Sequence, residues 1–269
     1  MEVIRLVHPS GASAEVRRNG AHVTSWIPAG GGEALFLSRA SRFTPGRAIR
    51  GGVPVIFPQF AEQGPLPKHG FARTEQWDAV ETSDTRVVFR LRYSMFTRAI
   101  WPHRFAAELA VELEERRLAI HLSIRNVDSE PFSFTSALHT YLRVADVGQA
   151  SVAGLRGLSY RDKLRDGGTF TEDADPLRIP GEIDRVYVDA PRELRVRDEA
   201  GGRTIVVHSE GFADAVIWNP GADKAAAFPD MEAGEEREML CVEAAQAAAP
   251  VTLAEGETWE GAQVLEIAS

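Results

Sequence analysis

The fold class is set by residues 106–125, AAELAVELEERRLAIHLSIR, where apolar and polar side chains alternate in two successive runs. In the first run, every second residue from Ala107 to Leu113 is apolar. In the second run, every second residue from Leu118 to Ile124 is aliphatic. A period of two is typical of a β-strand that has one face on a core and the other in water. The stretch therefore predicts two half-buried strands.

The same pattern recurs along the chain. Phe89, Leu91 and Tyr93 alternate with arginines, and the Gly201-Gly202 pair between two short apolar runs indicates a hairpin. Helical periodicity is weak, and residues 225–227 predict a helical turn at most. The 15 prolines and 23 glycines are spread throughout rather than gathered in a linker. We therefore expect one all-β domain over residues 1–269, a large and mostly antiparallel sandwich or barrel.

Composition argues against several classes of protein. The 269 residues carry 30 basic and 39 acidic side chains, a net charge of −9, which argues against a nucleic-acid-binding protein. Residues 1–10 lack the apolar core of a signal peptide, and no apolar run reaches the roughly 18 residues of a membrane span. Cys241 is the single cysteine, so no disulfide can form within the chain, and we interpret it as core filling. We expect a cytoplasmic monomer without membrane or nucleic-acid partners.

His139 is the first candidate for chemistry. In residues 132–144 the large apolar side chains share one face of a predicted strand, and His139 lies on the opposite face with Tyr141. Periodicity alone is compatible with a solvated or structural histidine as well as with a catalytic one.

Glu243 is the second candidate. It lies in Met239-Leu240-Cys241-Val242-Glu243-Ala244-Ala245, a run that is otherwise apolar on both faces and so predicts a central strand covered on both sides. A carboxylate there must be paired or used, and burial would raise its pKa towards that of a general base near neutrality. A structural glutamate held by arginine or backbone donors remains the alternative.

A third segment is basic and rich in turns. Arg50 precedes Gly51-Gly52, and Lys68 and Arg73 flank a second short motif. Arginine binds phosphate with two parallel hydrogen bonds and lysine acts as a point charge. The glycine pair has neither the dinucleotide-binding nor the Walker spacing. A solvated basic loop is the alternative interpretation.

Other chemistries find little support. None of the seven histidines forms a close pair with another histidine or cysteine at metal-ligand spacing, so we expect no metal and no cofactor. No G-x-S-x-G elbow is present, which argues against a serine hydrolase.

Taken together, these segments resemble a known family. The motifs are Arg50-Gly51-Gly52-Val53-Pro54, His69-Gly70-Phe71-Ala72-Arg73, Ala137-Leu138-His139-Thr140-Tyr141, Asp184-Arg185-Val186-Tyr187, Val216-Ile217-Trp218-Asn219-Pro220 and Cys241-Val242-Glu243. In this order they are similar to the D-hexose-6-phosphate mutarotases, or glucose-6-phosphate 1-epimerases, of the aldose 1-epimerase superfamily. The resemblance covers nearly the whole chain, down to Gly256-Glu257-Thr258-Trp259.

The resemblance implies a galactose-mutarotase-like β-sandwich (supersandwich) that interconverts the α and β anomers of a hexose 6-phosphate. It implies His139 as general acid and Glu243 as general base. It also implies a substrate site that contains Arg50, Arg73 and Asp184, with His69 as a second contact to sugar oxygens. Lys68 stands where relatives often have glutamine, which adds a cation suited to phosphate. Gln59 varies in the family, and its role stays open.

Three other functions remain as alternatives: an epimerase of neutral aldoses, a sugar-binding β-sandwich without turnover, and a glycosidase. The three cations argue against the neutral-sugar epimerase, because a neutral sugar does not need them. The presence of both His139 and Glu243 argues against a binding protein, which needs neither for chemistry. A glycosidase usually needs two carboxylates, and only Glu243 is a firm candidate. The mutarotase hypothesis requires His139 and Glu243 to face each other across a pocket wide enough for a pyranose, with guanidinium groups at its rim.

Overall fold

The computed structural model describes residues 2–268, and its strands form three antiparallel sheets. The strands are β1 (Val3–Val7), β2 (Ser13–Arg17), β3 (His22–Ile27), β4 (Val55–Ile56), β5 (Asp78–Thr82), β6 (Arg86–Arg92), β7 (Phe105–Leu113), β8 (Arg117–Asn126), β9 (Phe132–Leu138), β10 (Tyr141–Arg143), β11 (Ala150–Ala153), β12 (Ser159–Asp162), β13 (Gly168–Thr171), β14 (Leu177–Arg178), β15 (Ile183–Tyr187), β16 (Glu193–Asp198), β17 (Arg203–Glu210), β18 (Asp214–Asn219), β19 (Met239–Leu253) and β20 (Thr258–Ile267).

The largest sheet has nine strands in the order β14-β11-β16-β17-β20-β8-β7-β6-β5. Strand β7 alternates strictly between buried and half-buried residues, as the sequence predicts, and Leu109 pairs with Leu122 of β8. The predicted hairpin is present, with Asp198 of β16 opposite Arg203 of β17. This sheet therefore keeps one face on the core and one in water.

The second large sheet has eight strands: β13-β12-β15-β18-β19-β9-β4 in order, with β10 also paired to β19. All six residues of β18 and the first seven of β19 are buried. The prediction that Glu243 lies in a central strand covered on both sides is confirmed. The three-stranded sheet β1-β2-β3 completes the all-β architecture that the sequence predicts.

Two apolar clusters cover the two faces of the eight-stranded sheet. The main core takes side chains from both large sheets, such as Ile120 of β8 and Val242 of β19. A second cluster lies on the other face and includes Tyr141, Trp218 and Cys241. Cys241 is fully buried in that cluster, which confirms its core-filling role.

Helical structure is short and peripheral. Helix α1 (Met95–Ile100) begins at Ser94, whose side chain accepts a hydrogen bond from the Thr97 amide, and the apolar pattern of the sequence does not predict it. Helix α2 (Gly221–Ala226) lies close to the predicted helical turn. Four 3₁₀ turns cover Ala72–Thr74, Val147–Gln149, Lys163–Arg165 and Glu235–Glu238. Within residues 2–268, no helix is both long and apolar enough to span a membrane.

Candidate active site

A cavity of about 260 Å³ opens on the face of the eight-stranded sheet that carries the second apolar cluster. Its lining contains all seven residues predicted for the site: Arg50, Lys68, His69, Arg73, His139, Asp184 and Glu243. Larger depressions of about 460 and 540 Å³ lie elsewhere and contain none of these residues. Tertiary structure thus gathers residues that are up to 193 positions apart in the sequence, from Arg50 to Glu243.

His139 and Glu243 occupy polar positions in otherwise apolar rows. Along β19, Met239, Cys241, Ala245 and Ala247 all point into the second cluster, and Glu243 takes the middle position of that row. Strands β9 and β19 pair in register, with Leu138 opposite Ala244, so His139 follows directly beside Glu243. An apolar side chain would pack at either position, and burying a polar group there lowers the stability of the fold. Polar residues at such positions are therefore candidates for a functional role.

The two side chains touch. His139 Nδ1 lies 3.3 Å from Glu243 Oε1, but the atoms are not aligned as a hydrogen bond, and His139 Nδ1 and Glu243 Oε2 are buried without a partner among the described residues. The mutarotase hypothesis predicts that these groups face each other across a pocket. They instead lie side by side on one wall, because neighbouring antiparallel strands bring paired side chains to the same face.

A break in the β-structure fixes the imidazole. Strand β9 ends at Leu138 and β10 begins at Tyr141. The His139 amide donates to the Pro54 carbonyl at 3.0 Å, and the Tyr141 ring stacks on the imidazole with centroids 4.8 Å apart and planes 9° apart. The Thr140 hydroxyl donates to the buried Gln263 of β20, which ties the break to the nine-stranded sheet. These contacts hold the ring against rotation.

The surroundings shift the two pKa values in opposite directions. Burial lowers the pKa of His139 well below its ordinary value, and the positive charges of Arg73 and Arg50 lower it further. Burial raises the pKa of Glu243 well above its ordinary value, Lys163 opposes that shift, and Asp184 adds to it. In the ligand-free site, the proton that the pair shares therefore resides on the Glu243 carboxyl.

His69 offers a fixed hydrogen-bond donor. The Ala61 amide donates to His69 Nδ1 at 3.2 Å, and burial lowers the pKa of the imidazole. The neutral ring therefore carries its hydrogen on Nε2. The residue adopts a φ of 65°, followed by Gly70 with the same φ. A side chain on Gly70 would collide with the Phe57 carbonyl, so the turn that presents His69 requires glycine there.

Arg50 is held in place by three groups. Its guanidinium pairs with Asp230 at 3.1 Å, donates to the Tyr141 hydroxyl at 3.3 Å and lies 4.4 Å from the centre of the Phe228 ring. The turn after it needs Gly52, whose φ is 63° and where a side chain would collide with the Val23 carbonyl. Arg50 is thus rigid, as a binding group should be.

Four further basic side chains line the cavity, which makes five in all with Arg50. Lys163 pairs with Asp184 at 3.4 Å, Lys224 with Glu182 at 3.0 Å, and Lys68 with Glu62 at 3.3 Å. Arg73 differs from them, since its Nη2 donates to the Lys68 carbonyl at 2.9 Å and no carboxylate of the described residues pairs with it. The five cations outnumber the four carboxylates that pair with them, Asp184, Asp230, Glu182 and Glu62, so the cavity is electropositive in a chain of net charge −9.

Sequence reasoning missed several lining residues. Lys163 and Lys224 follow no motif, and only the fold brings them to the cavity. Tyr141 had a usable signal, since it follows His139 by two residues on the same face. Trp218 lies within one of the motifs that resemble the family and forms another wall, with its ring 5.9 Å from the imidazole. Gln59, whose role was open, braces residues 61–66 through hydrogen bonds to Ala61 and Leu66.

Within residues 2–268, one set of donors could hold a metal ion. The ligand atoms of His139, Cys241 and Glu243 all lie within 4.8 Å of one another. The positive charges of Arg50 and Arg73 act on the same imidazole and oppose the approach of a divalent cation. The arrangement suits proton transfer between an imidazole and a carboxyl better than metal binding.

Comparison with known proteins identifies the family of this chain. The chain is 39% identical over 260 residues to a protein of Cenchrus ciliaris named "Putative glucose-6-phosphate 1-epimerase", a match that covers 92% of this chain and 79% of that protein. The crystal structure of a "putative mutarotase" from Salmonella typhimurium superimposes with a TM-score of 0.91 at 33% identity, covering 99% of this chain and 90% of that one. A galactose mutarotase-like protein from Lactobacillus casei shares the fold with a TM-score of 0.79 at 17% identity, over 99% of this chain and all of that one. The family model described as aldose 1-epimerase matches residues 2–266, and this chain therefore belongs to the aldose 1-epimerase family.

Proposed function

We propose that this protein is a hexose-6-phosphate mutarotase, with glucose 6-phosphate as the favoured substrate and His139 and Glu243 as its acid/base pair. The observation that carries the proposal is the 3.3 Å approach of imidazole and carboxyl inside a cavity with five basic side chains. The names of the relatives support the same substrate class.

The side-by-side pair fits the reaction. Opening of the pyranose requires a base to remove the O1 proton and an acid to protonate O5 while the C1–O5 bond breaks. Both oxygens are bonded to C1, so an acid and a base that lie close together can serve both. The aldehyde then rotates about C1–C2 and closes on its other face. In the roles that the family resemblance implies, Glu243 takes the proton from O1 and His139 supplies the one for O5, and the roles exchange in the reverse direction. These roles require the shared proton to move from the Glu243 carboxyl to the His139 imidazole when the substrate binds.

The basic side chains supply the phosphate end of the site. Arg50 and Arg73 have the planar donors that suit a tetrahedral oxyanion, and Lys163, Lys68 and Lys224 add charge around them. Asp184 accepts hydrogen bonds from sugar hydroxyls, and His69 Nε2 donates one to a sugar oxygen. Remote binding of the phosphate orients C1 at the pair, which raises the rate because the reacting groups are positioned in advance.

The alternatives account for less of the site. A neutral-sugar epimerase gains nothing from five cations, and a binding protein gains nothing from burying Glu243 beside His139. A glycosidase would need a second free carboxyl, but Asp184 is paired with Lys163.

The test is an anomer-exchange measurement by NMR on the 6-phosphates of glucose, galactose and mannose and on the parent sugars. We expect the protein to accelerate a hexose 6-phosphate more than any parent sugar, and Glu243→Gln to reduce that effect by about 10² to 10⁴. Glu108→Gln, on the half-exposed side of β7, is the matched control and should keep wild-type exchange. Faster turnover of a parent sugar would favour the neutral-sugar epimerase, and saturable binding without acceleration would favour the binding protein.

A further inference from the structure

Arg73 is an unusual cation within this site. Each of the other four basic side chains has a carboxylate within 3.4 Å, whereas Arg73 has none among residues 2–268. Its Nε is also buried without a hydrogen-bond partner, and burial lowers the pKa of the guanidinium. Asp230, which pairs with Arg50, acts on Arg73 without forming an ion pair with it. A partly buried guanidinium with an unused donor and no paired carboxylate is costly, and an oxyanion would supply both missing partners.

The charge of Arg73 acts on the imidazole more than on the carboxyl. Arg73 and Arg50 are the strongest charges acting on His139. Arg50 also donates a hydrogen bond to the Tyr141 hydroxyl, and the Tyr141 ring stacks on the His139 imidazole. The charges that shift Glu243 are instead Lys163 and Asp184. An anion at Arg73 would therefore change the two members of the pair unequally.

Several titratable or charged groups face the imidazole from the elements packed around it. They are Arg50 before β4, His69 and Arg73 around the first 3₁₀ turn, Tyr141 of β10, Lys163 of the third 3₁₀ turn, Asp184 of β15, and Cys241 and Glu243 of β19. Cations predominate among those that are charged in the ligand-free site. The low-polarity surroundings leave their charges poorly screened, so one bound dianion has a large effect.

We propose that the oxyanion bound at Arg73 activates the acid/base pair as well as anchoring the substrate, so that a free tetrahedral dianion enables this protein to mutarotate hexoses without a phosphate. The inference rests on the proposed function. The step is a proton transfer alone, in which the dianion offsets the positive charge and the shared proton moves from the Glu243 carboxyl to the His139 imidazole. No bond to the anion forms or breaks.

The experiment measures anomer exchange of glucose by NMR with increasing sulfate, against sodium chloride at equal ionic strength. Sulfate is a suitable probe because it remains a dianion over the whole working range of pH and is too weak a base to catalyse the exchange itself. We expect sulfate to raise kcat for glucose tenfold or more with saturation, and glucose 6-phosphate to compete with it. Since activation raises the pKa of the acid, the alkaline limb of the kcat profile should move to higher pH with sulfate.

Variants at position 73 separate activation from binding. In Arg73→Met the ratio of glucose turnover with and without sulfate should fall to about one, and the alkaline limb should no longer move. Arg73→Lys, which keeps the charge, should restore part of the ratio. Arg178→Met is the matched control, because Arg178 of β14 pairs with Glu199 outside the cavity, and it should keep the activation.

Two outcomes would overturn the inference while leaving the proposed function intact. Sulfate could compete with glucose 6-phosphate and yet leave glucose turnover unchanged, or it could lower KM for glucose without changing kcat. Either result would make the phosphate an anchor only. Failure of the proposed function looks different, since glucose 6-phosphate itself would then not be accelerated.

Discussion

The two large sheets of this protein are built from similar strands but are covered differently. Strand β7 of the nine-stranded sheet alternates between buried and half-buried residues, whereas β18 of the eight-stranded sheet is buried throughout. The first sheet has a core on one face only. The second has the main core on one face, and the second apolar cluster and the cavity on the other.

The difference shows where chemistry can be placed. On the nine-stranded sheet a polar side chain on the outer face is hydrated. On the eight-stranded sheet the same kind of residue is enclosed, so burial and a few fixed charges control its protonation. We therefore expect substitutions on the two sheets to separate effects on activity from effects on stability.

The largest effect should follow from His139→Gln. An amide cannot exchange a proton as imidazole does, so kcat for a hexose 6-phosphate should fall by about 10² to 10⁴. The matched control is His121→Gln on the exposed face of β8, which should leave kcat unchanged. Anomer-exchange NMR measures both. Equal losses in the two variants would remove the distinction between the sheets.

Leu109→Ala should lower the stability of the protein and leave kcat unchanged. Leu109 is buried on the core face of β7, and its truncation leaves a cavity that costs about 2–5 kcal/mol in the free energy of unfolding. The fraction that remains folded should keep the wild-type kcat. Glu108→Ala, the next residue along the same strand, should cost less than about 1 kcal/mol. Urea titration provides the stabilities, and a loss of kcat in folded Leu109→Ala would contradict the expectation.

The pH dependence of stability should come from buried histidines, among them His22 of β3 in the three-stranded sheet. His22 is fully buried, and burial lowers its pKa to about 4, although its hydrogen bond to the Gly51 carbonyl opposes that shift. Between pH 6.5 and 4 the unfolded chain binds a proton that the native histidine does not, so the free energy of unfolding falls as pH falls. The contribution of His22 is at most about 3 kcal/mol, and the lowered pKa values of His69 and His139 act in the same direction.

Urea titrations at several pH values test this expectation. His22→Gln should reduce the slope between pH 6.5 and 4, whatever it does to stability at neutral pH. His121→Gln, on the exposed face of β8, provides the comparison and should leave the slope as it is. An unchanged slope in His22→Gln would show that this histidine is not the source.

The smallest effect should follow from Lys68→Gln, the residue that the resemblance to the family makes common at this position. The Lys68 side chain is 59% exposed and pairs with an exposed Glu62, so solvent screens its charge. We expect kcat/KM for glucose 6-phosphate to fall by about threefold or less, and by less still at high salt. A loss above tenfold would place Lys68 in direct contact with the phosphate.

Much of this molecule could be predicted from local patterns. Alternation at residues 106–125 predicts β7 and β8, and the unbroken apolar run around Glu243 predicts a strand covered on both sides. Helix α1 was missed because it is a six-residue segment fixed by its cap rather than by an apolar stripe. Lys163 was missed because nothing near it in the sequence marks a residue whose neighbours in space lie on other strands.

Periodicity and motifs are enough to predict the all-β class, the family and the residue types of the site, because both depend on neighbours along the chain. The side-by-side arrangement of His139 and Glu243, and the lack of a carboxylate paired with Arg73 within residues 2–268, are visible only in the folded chain. Distances between side chains and the protonation they impose depend on strand register and burial, which arise from packing between distant segments.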